Sequence, residues 1–110
     1  MKNLEARLGR VEYHQKLLLQ MINPAGHEFD CLIIMKDLSE FEVQEFYALC
    51  GELHKEMKKQ KAEKFVFFAP LFDEFCRRLS QKLQPAEVIQ ACLKQNVYPE
   101  LMQVLEKNLS

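Results

Sequence analysis

Apolar residues at Leu4, Leu8, Val11, Leu18 and Ile22, with Gln15 filling the slot between Val11 and Leu18, step by four and three in strict alternation. That spacing keeps one edge of a helix apolar and predicts an N-terminal helix with a heptad seam. Asn23-Pro24-Ala25-Gly26 stops it, because the residue before proline avoids the α region and glycine supplies a turn. A short helix over His27 to Lys36 follows, with Phe29, Leu32 and Ile33 turned inward and Met35 a further candidate. Asp37-Leu38 then leads into Ser39-Glu40-Phe41-Glu42, whose serine and third-following glutamate form a capping box.

Beyond that cap, Val43, Phe46, Cys50, Leu53 and Met57 again step by three and four, predicting a long amphipathic helix from about Glu40 to about Lys61. Gly51 in its interior weakens it relative to alanine and marks an expected close helix contact. Phe65-Val66-Phe67-Phe68 reads as a compact apolar link. Pro70, Pro85 and Pro99 each sit where a first-turn proline belongs and punctuate three more helices. Their inward faces are Leu71, Phe72, Phe75, Cys76, Leu79 and Leu83, then Val88, Ile89, Cys92 and Leu93, then Leu101, Met102, Leu105 and Leu109. No segment alternates as a strand does, so the expected fold is all-α: one compact multihelical domain over 1–110, of five or six helices, with 1–22 as a candidate oligomerisation helix. Repeats and low-complexity tracts are absent.

Composition narrows the class without naming a reaction. Hydrophobic residues are 48% and charged residues 28% of the 110 positions, with three Gly and four Pro, which excludes disordered, collagen-like and loop-dominated chains. Fifteen basic against sixteen acidic residues leave a net charge of −1, so the global positive field of a nucleic-acid or anionic-membrane binder is missing. The longest unbroken apolar run, Phe65 to Phe72, contains Pro70 and falls far short of the ~20 residues that cross a bilayer. No apolar h-region follows the start of the chain, and Cys31, Cys50, Cys76 and Cys92 are widely spaced among apolar residues; both features point to a reduced, cytoplasmic protein.

Three separate runs resemble the YhaI-like family of small bacterial proteins: Arg7-Leu8-Gly9-Arg10-Val11-Glu12-Tyr13, Gln60-Lys61-Ala62-Glu63-Lys64-Phe65-Val66-Phe67-Phe68, and Tyr98-Pro99-Glu100-Leu101-Met102. The likeness extends over nearly the whole chain. It implies a multihelical, self-associating cytoplasmic protein of uncharacterised function, and brings no catalytic residue, cofactor or substrate.

Candidate chemistry is sparse. The chain has no Thr and only Ser39, Ser80 and Ser110, of which Ser39 serves as a cap, so serine hydrolysis lacks its parts. Cys50 has His54 one turn on, but the thiol already completes an apolar stripe. The sharpest chemical alternative is metal binding: His27/Cys31 and Cys50/His54 are both i, i+4 pairs, and two such helices packed together would offer a Cys2His2 set. His27-Glu28 with Cys31 has zincin spacing, which would put Glu28 where a general base belongs. Glu-x-x-His motifs are missing, since Val11, Pro24 and Gly51 stand three before the histidines, and no phosphate-binding fingerprint exists. The lysines between Lys55 and Lys64 read as a solvated helix face rather than a nucleic-acid footprint. Four of the eight phenylalanines fall within Phe65 to Phe72, where the centre of the core is expected, with an apolar ligand pocket as the alternative.

The expected function is therefore a non-enzymatic, homo-oligomeric protein–protein interaction or regulatory module, with no cofactor, no nucleic-acid partner and no membrane association. Its partners are a second copy and an unidentified protein. Leu4, Leu8, Val11, Gln15, Leu18 and Ile22 form the expected interface, with Arg7 and Glu12 at the flanking g and e positions and Gln15 as the register-setting polar residue. A metal-binding protein using His27, Cys31, Cys50 and His54 is the alternative.

Overall fold

A computed structural model describes residues 2–63 and 68–109. Six helices follow one another: α1 Lys2–Met21, α2 Glu28–Met35, α3 Glu40–Ala62, α4 Ala69–Arg78, α5 Pro85–Gln95 and α6 Pro99–Glu106. No strand occurs among the described residues, and the fold is all-α as the periodicity predicts. Lys64 and the Phe65-Val66-Phe67 part of the apolar link lie outside the described residues.

Each helix boundary has a local cause. α1 ends before Asn23, whose Oδ1 accepts from the Ala25 N–H at 3.1 Å, and the Pro24 carbonyl accepts from the His27 N–H at 2.8 Å. Gly26 stands third in that turn at φ +83°, a conformation the absence of a Cβ makes accessible. α3 starts on the predicted capping box: Ser39 Oγ accepts from the Glu42 N–H at 3.1 Å, and Glu42 Oε1 accepts from the Ser39 N–H at 3.0 Å. Pro70, Pro85 and Pro99 all occupy the first turn of their helices, where a missing N–H costs nothing.

Two helix ends use devices that carry no glycine. After α2, Asp37 adopts φ 57°, with Leu38 N–H bonded to Ile33 O at 3.0 Å and Asp37 N–H to Ile34 O at 3.2 Å. After α5, Asn96 adopts φ 60°, with Val97 N–H bonded to Cys92 O at 2.8 Å and Asn96 N–H to Leu93 O at 3.3 Å. Both are Schellman endings, in which a left-handed residue lets the orphan carbonyls of the last turn find donors; Asp and Asn tolerate that conformation better than other residues with a Cβ.

The core lies among α2 to α6. α2 packs on α5, α5 on α6, and α3 on both α4 and α6. Phe29, Phe46 and Phe75 bring one ring each from α2, α3 and α4 to its centre, with centroids 5.1 Å apart for Phe29/Phe46 and 6.2 Å for Phe46/Phe75. Around them Leu53, Met57, Ile89, Cys92, Leu101 and Met102 are buried. This corrects the expected position of the aromatic centre: Phe68 and Phe72, the described members of the Phe65 to Phe72 group, are only partly buried and pack on the rim. Met35, a candidate for the inward face of α2, is instead 70% exposed.

α1 stands apart. It makes no extensive contact with any other helix, and the molecule measures 60 × 28 × 22 Å. A radius of gyration of 17.1 Å exceeds the ~13 Å expected for a compact chain of this length, because a helix of about 30 Å extends from the bundle.

Candidate functional site

The predicted seam of α1 is in solvent. Leu8 and Leu18 are 57% and 56% exposed, and Leu4, Val11, Gln15 and Ile22 are exposed with them. Packing of this stripe into the chain's own core, the other use such a stripe has, is not what the helix does. Tyr13, Leu17 and Met21 add further exposed apolar surface. Among the described side chains of α1, Leu19 alone is partly buried. It belongs to a broad groove of about 640 Å³, formed with Glu12, Gln15 and Lys16 from α1 and Ile34, Met35 and Asp37 from the end of α2 and the turn beyond it. Ile34 is exposed like Met35, across the groove from α1. A row of exposed large apolar side chains like that on α1 marks an interaction site.

Ile34 and Met35 were not legible as surface residues. The run Cys31-Leu32-Ile33-Ile34-Met35 is apolar all round the helix, and periodicity then says nothing about which side faces out.

The four residues of the metal alternative are not gathered into a site. His27 is the residue before α2, its side chain 68% exposed and its Nδ1 3.2 Å from Asp30 Oδ2. Cys31 is partly buried on α2. Cys50 is fully buried on α3, and desolvation, with a smaller contribution from the nearby Cys92 sulfur, pushes its thiol far above the usual range. A thiol held neutral in that way is neither a ready ligand nor a nucleophile. His54 packs edge-on against Tyr98, ring centroids 5.8 Å apart. Among the described residues no three His, Cys, Asp or Glu side chains come together as a metal set. The i, i+4 spacing placed each pair on one helix face, but the helices turn those faces to different surroundings.

Two lysines at the end of α3 are engaged within the chain. Lys58 Nζ lies 2.9 Å from Glu100 Oε2 and Lys61 Nζ 3.0 Å from Glu100 Oε1, which ties α3 to the first turn of α6 and holds the Glu100 carboxyl down to about 2. A smaller cleft of about 180 Å³ lies between α3 and the α4 end, with Glu42, Glu45, Arg78 and Ser80 over Phe46, Leu49, Leu79 and Leu83. It contains no nucleophile paired with a base. No helix among the described residues is long and apolar enough to cross a membrane.

A family model described as "Protein of unknown function (DUF1878)" matches residues 1–110. The match spans the exposed helix and the bundle together, and the chain belongs to that uncharacterised family.

Proposed function

We propose that this protein is a non-enzymatic, self-assembling interaction module in which α1 joins copies of the chain, working in the reduced cytoplasm as its YhaI-like bacterial resemblance implies. The observation that carries this is the exposed stripe of Leu4, Leu8, Val11, Leu18 and Ile22 on a helix that its own bundle leaves uncovered. A lone 20-residue helix is marginal in water, and α1 carries Gly9 in its interior, so its order needs a packing partner. A second copy supplies an identical apolar edge at once.

A binding role is the one the exposed apolar face of α1 supports. The molar mass in solution tests the reading. The native chain is expected to scatter light as an oligomer, and Leu8→Asp/Leu18→Asp as a monomer with the helical circular dichroism of α2 to α6 retained. A native chain that stays monomeric at tens of micromolar contradicts it.

A further inference from the structure

We infer that the second copy joins α1 in parallel and in register, with Arg7 of each chain facing Glu12 of the other and the two Gln15 side chains meeting in one layer; this rests on the assembly reading above. In heptad terms Leu8, Gln15 and Ile22 take the a positions and Leu4, Val11 and Leu18 the d positions, which places Glu5 and Glu12 at e and Arg7 and His14 at g. All members of this set are solvent-exposed, on α1 or, for Ile22, at the residue that follows it, so each is available to a partner.

The apolar residues alone do not choose an orientation. Turned end for end, the stripe still matches itself: Leu4 meets Ile22, Leu8 meets Leu18, and Val11 meets Gln15. The polar residues break the tie. In the parallel arrangement g faces the following e of the neighbour, which pairs Arg7 of each chain with Glu12 of the other and His14 with Leu19. In the antiparallel one, e faces e, and Glu12 meets Glu12 at the midpoint, where like charges repel. Gln15 points the same way. Side by side in one layer, two Gln15 amides satisfy each other, whereas opposite Val11 each amide is buried against a methyl group without a partner. Charge and hydrogen bonding thus agree on one orientation. The groove between α1 and the Ile34/Met35 surface adjoins this seam, with Glu12 and Gln15 on its α1 wall.

A cysteine at the N-terminal d position reads the geometry. In the parallel register two Leu4→Cys residues stand within disulfide reach, while in the antiparallel one they are roughly 27 Å apart. Leu4→Cys is therefore expected to form a covalent dimer with itself under dilute oxidant, on a non-reducing gel, with the native chain and its four cysteines as the control. Glu12→Arg should weaken self-association roughly tenfold in sedimentation equilibrium, and Arg7→Glu/Glu12→Arg should restore it to within about twofold. An oligomer in which Leu4→Cys fails to link to itself, or links only when mixed with Ile22→Cys, overturns the parallel register and leaves assembly through α1 standing. A native chain that is monomeric by light scattering overturns both.

Discussion

Lys82 Nζ lies 2.9 Å from Glu42 Oε1, and the same ammonium donates to the Asp37 carbonyl at 2.9 Å. Since Glu42 Oε1 also accepts from the Ser39 N–H, one lysine from the α4–α5 connection closes the left-handed turn after α2 and the cap of α3 together. Ser39→Ala should cost about 1 kcal/mol in urea unfolding, the ordinary value of a lost serine cap. Lys82→Met should also destabilise, and the two losses should not add, because both contacts hold one residue in place: Ser39 Oγ the Glu42 N–H, and Lys82 its carboxylate. Additive losses would show the two contacts to be independent.

Acid should weaken the bundle through three named carboxylates. Glu42 is held below its usual value of 4.5 by the hydrogen bond from Lys82 and then by the Ser39 backbone, Glu74 by Arg77, and Glu100 down to about 2 by Lys58 and Lys61. A folded-state value below the unfolded one means that these pairs contribute fully above about pH 4.5 and are lost as the pH falls toward 2. Chemical stability should therefore drop through that window. All three carboxylates are partly exposed to solvent, so 1 M salt should weaken the drop, and Glu100→Gln should remove its most acidic part. Stability unchanged between pH 5 and 2 would contradict the pairing.

Gly51 sits inside α3 with the Tyr98 hydroxyl 3.5 Å from where a Cβ would lie. That is ordinary contact distance, so alanine fits without moving the ring. Gly51→Ala should raise stability by about 0.5–1 kcal/mol, read as a shift in the urea midpoint at constant slope. Gly26→Ala should lower it, since its φ of +83° strains any residue with a Cβ.

The four thiols should separate by burial. Cys50 and Cys92 are fully buried, and desolvation raises the Cys92 thiol to about 12 and that of Cys50 still higher, so neither should react with a thiol reagent at pH 8 until denaturant is added. Cys31 should react first in the folded protein. Cys76, raised by burial and then by Asp73, should follow more slowly. Because the buried thiols stay neutral in the folded state while unfolded ones ionise near pH 9, the bundle should lose stability above that pH. Four equally fast thiols in the native protein would contradict this packing.

Periodicity made most of the fold legible. Ser39 and Glu42 announce the start of α3, and Pro85 and Pro99 stand at the first residue of their helices, because caps and first-turn prolines are local chemistry. Leu49 and Val104 were not on the predicted inner faces, since α3 and α6 bury wider arcs than a three–four stripe marks. The left-handed Asp37 and Asn96 are not legible in the sequence, because helix stops without glycine leave little local signal. The ring cluster of Phe29, Phe46 and Phe75 depends on contacts between distant segments, which no local pattern encodes. For the candidate surface, the seam of α1 was visible in the spacing from Leu4 to Ile22, but its exposure was not: a stripe facing its own core and one facing a partner are the same pattern.

Amide hydrogen exchange across a dilution series tests assembly through α1 most directly. A helix held by a second copy should be protected from about Leu8 to Leu18 at high protein concentration and lose that protection on dilution, while the amides of α3 and α5 keep theirs. Protection of α1 that does not change with concentration, or its absence even at millimolar protein, would contradict the account.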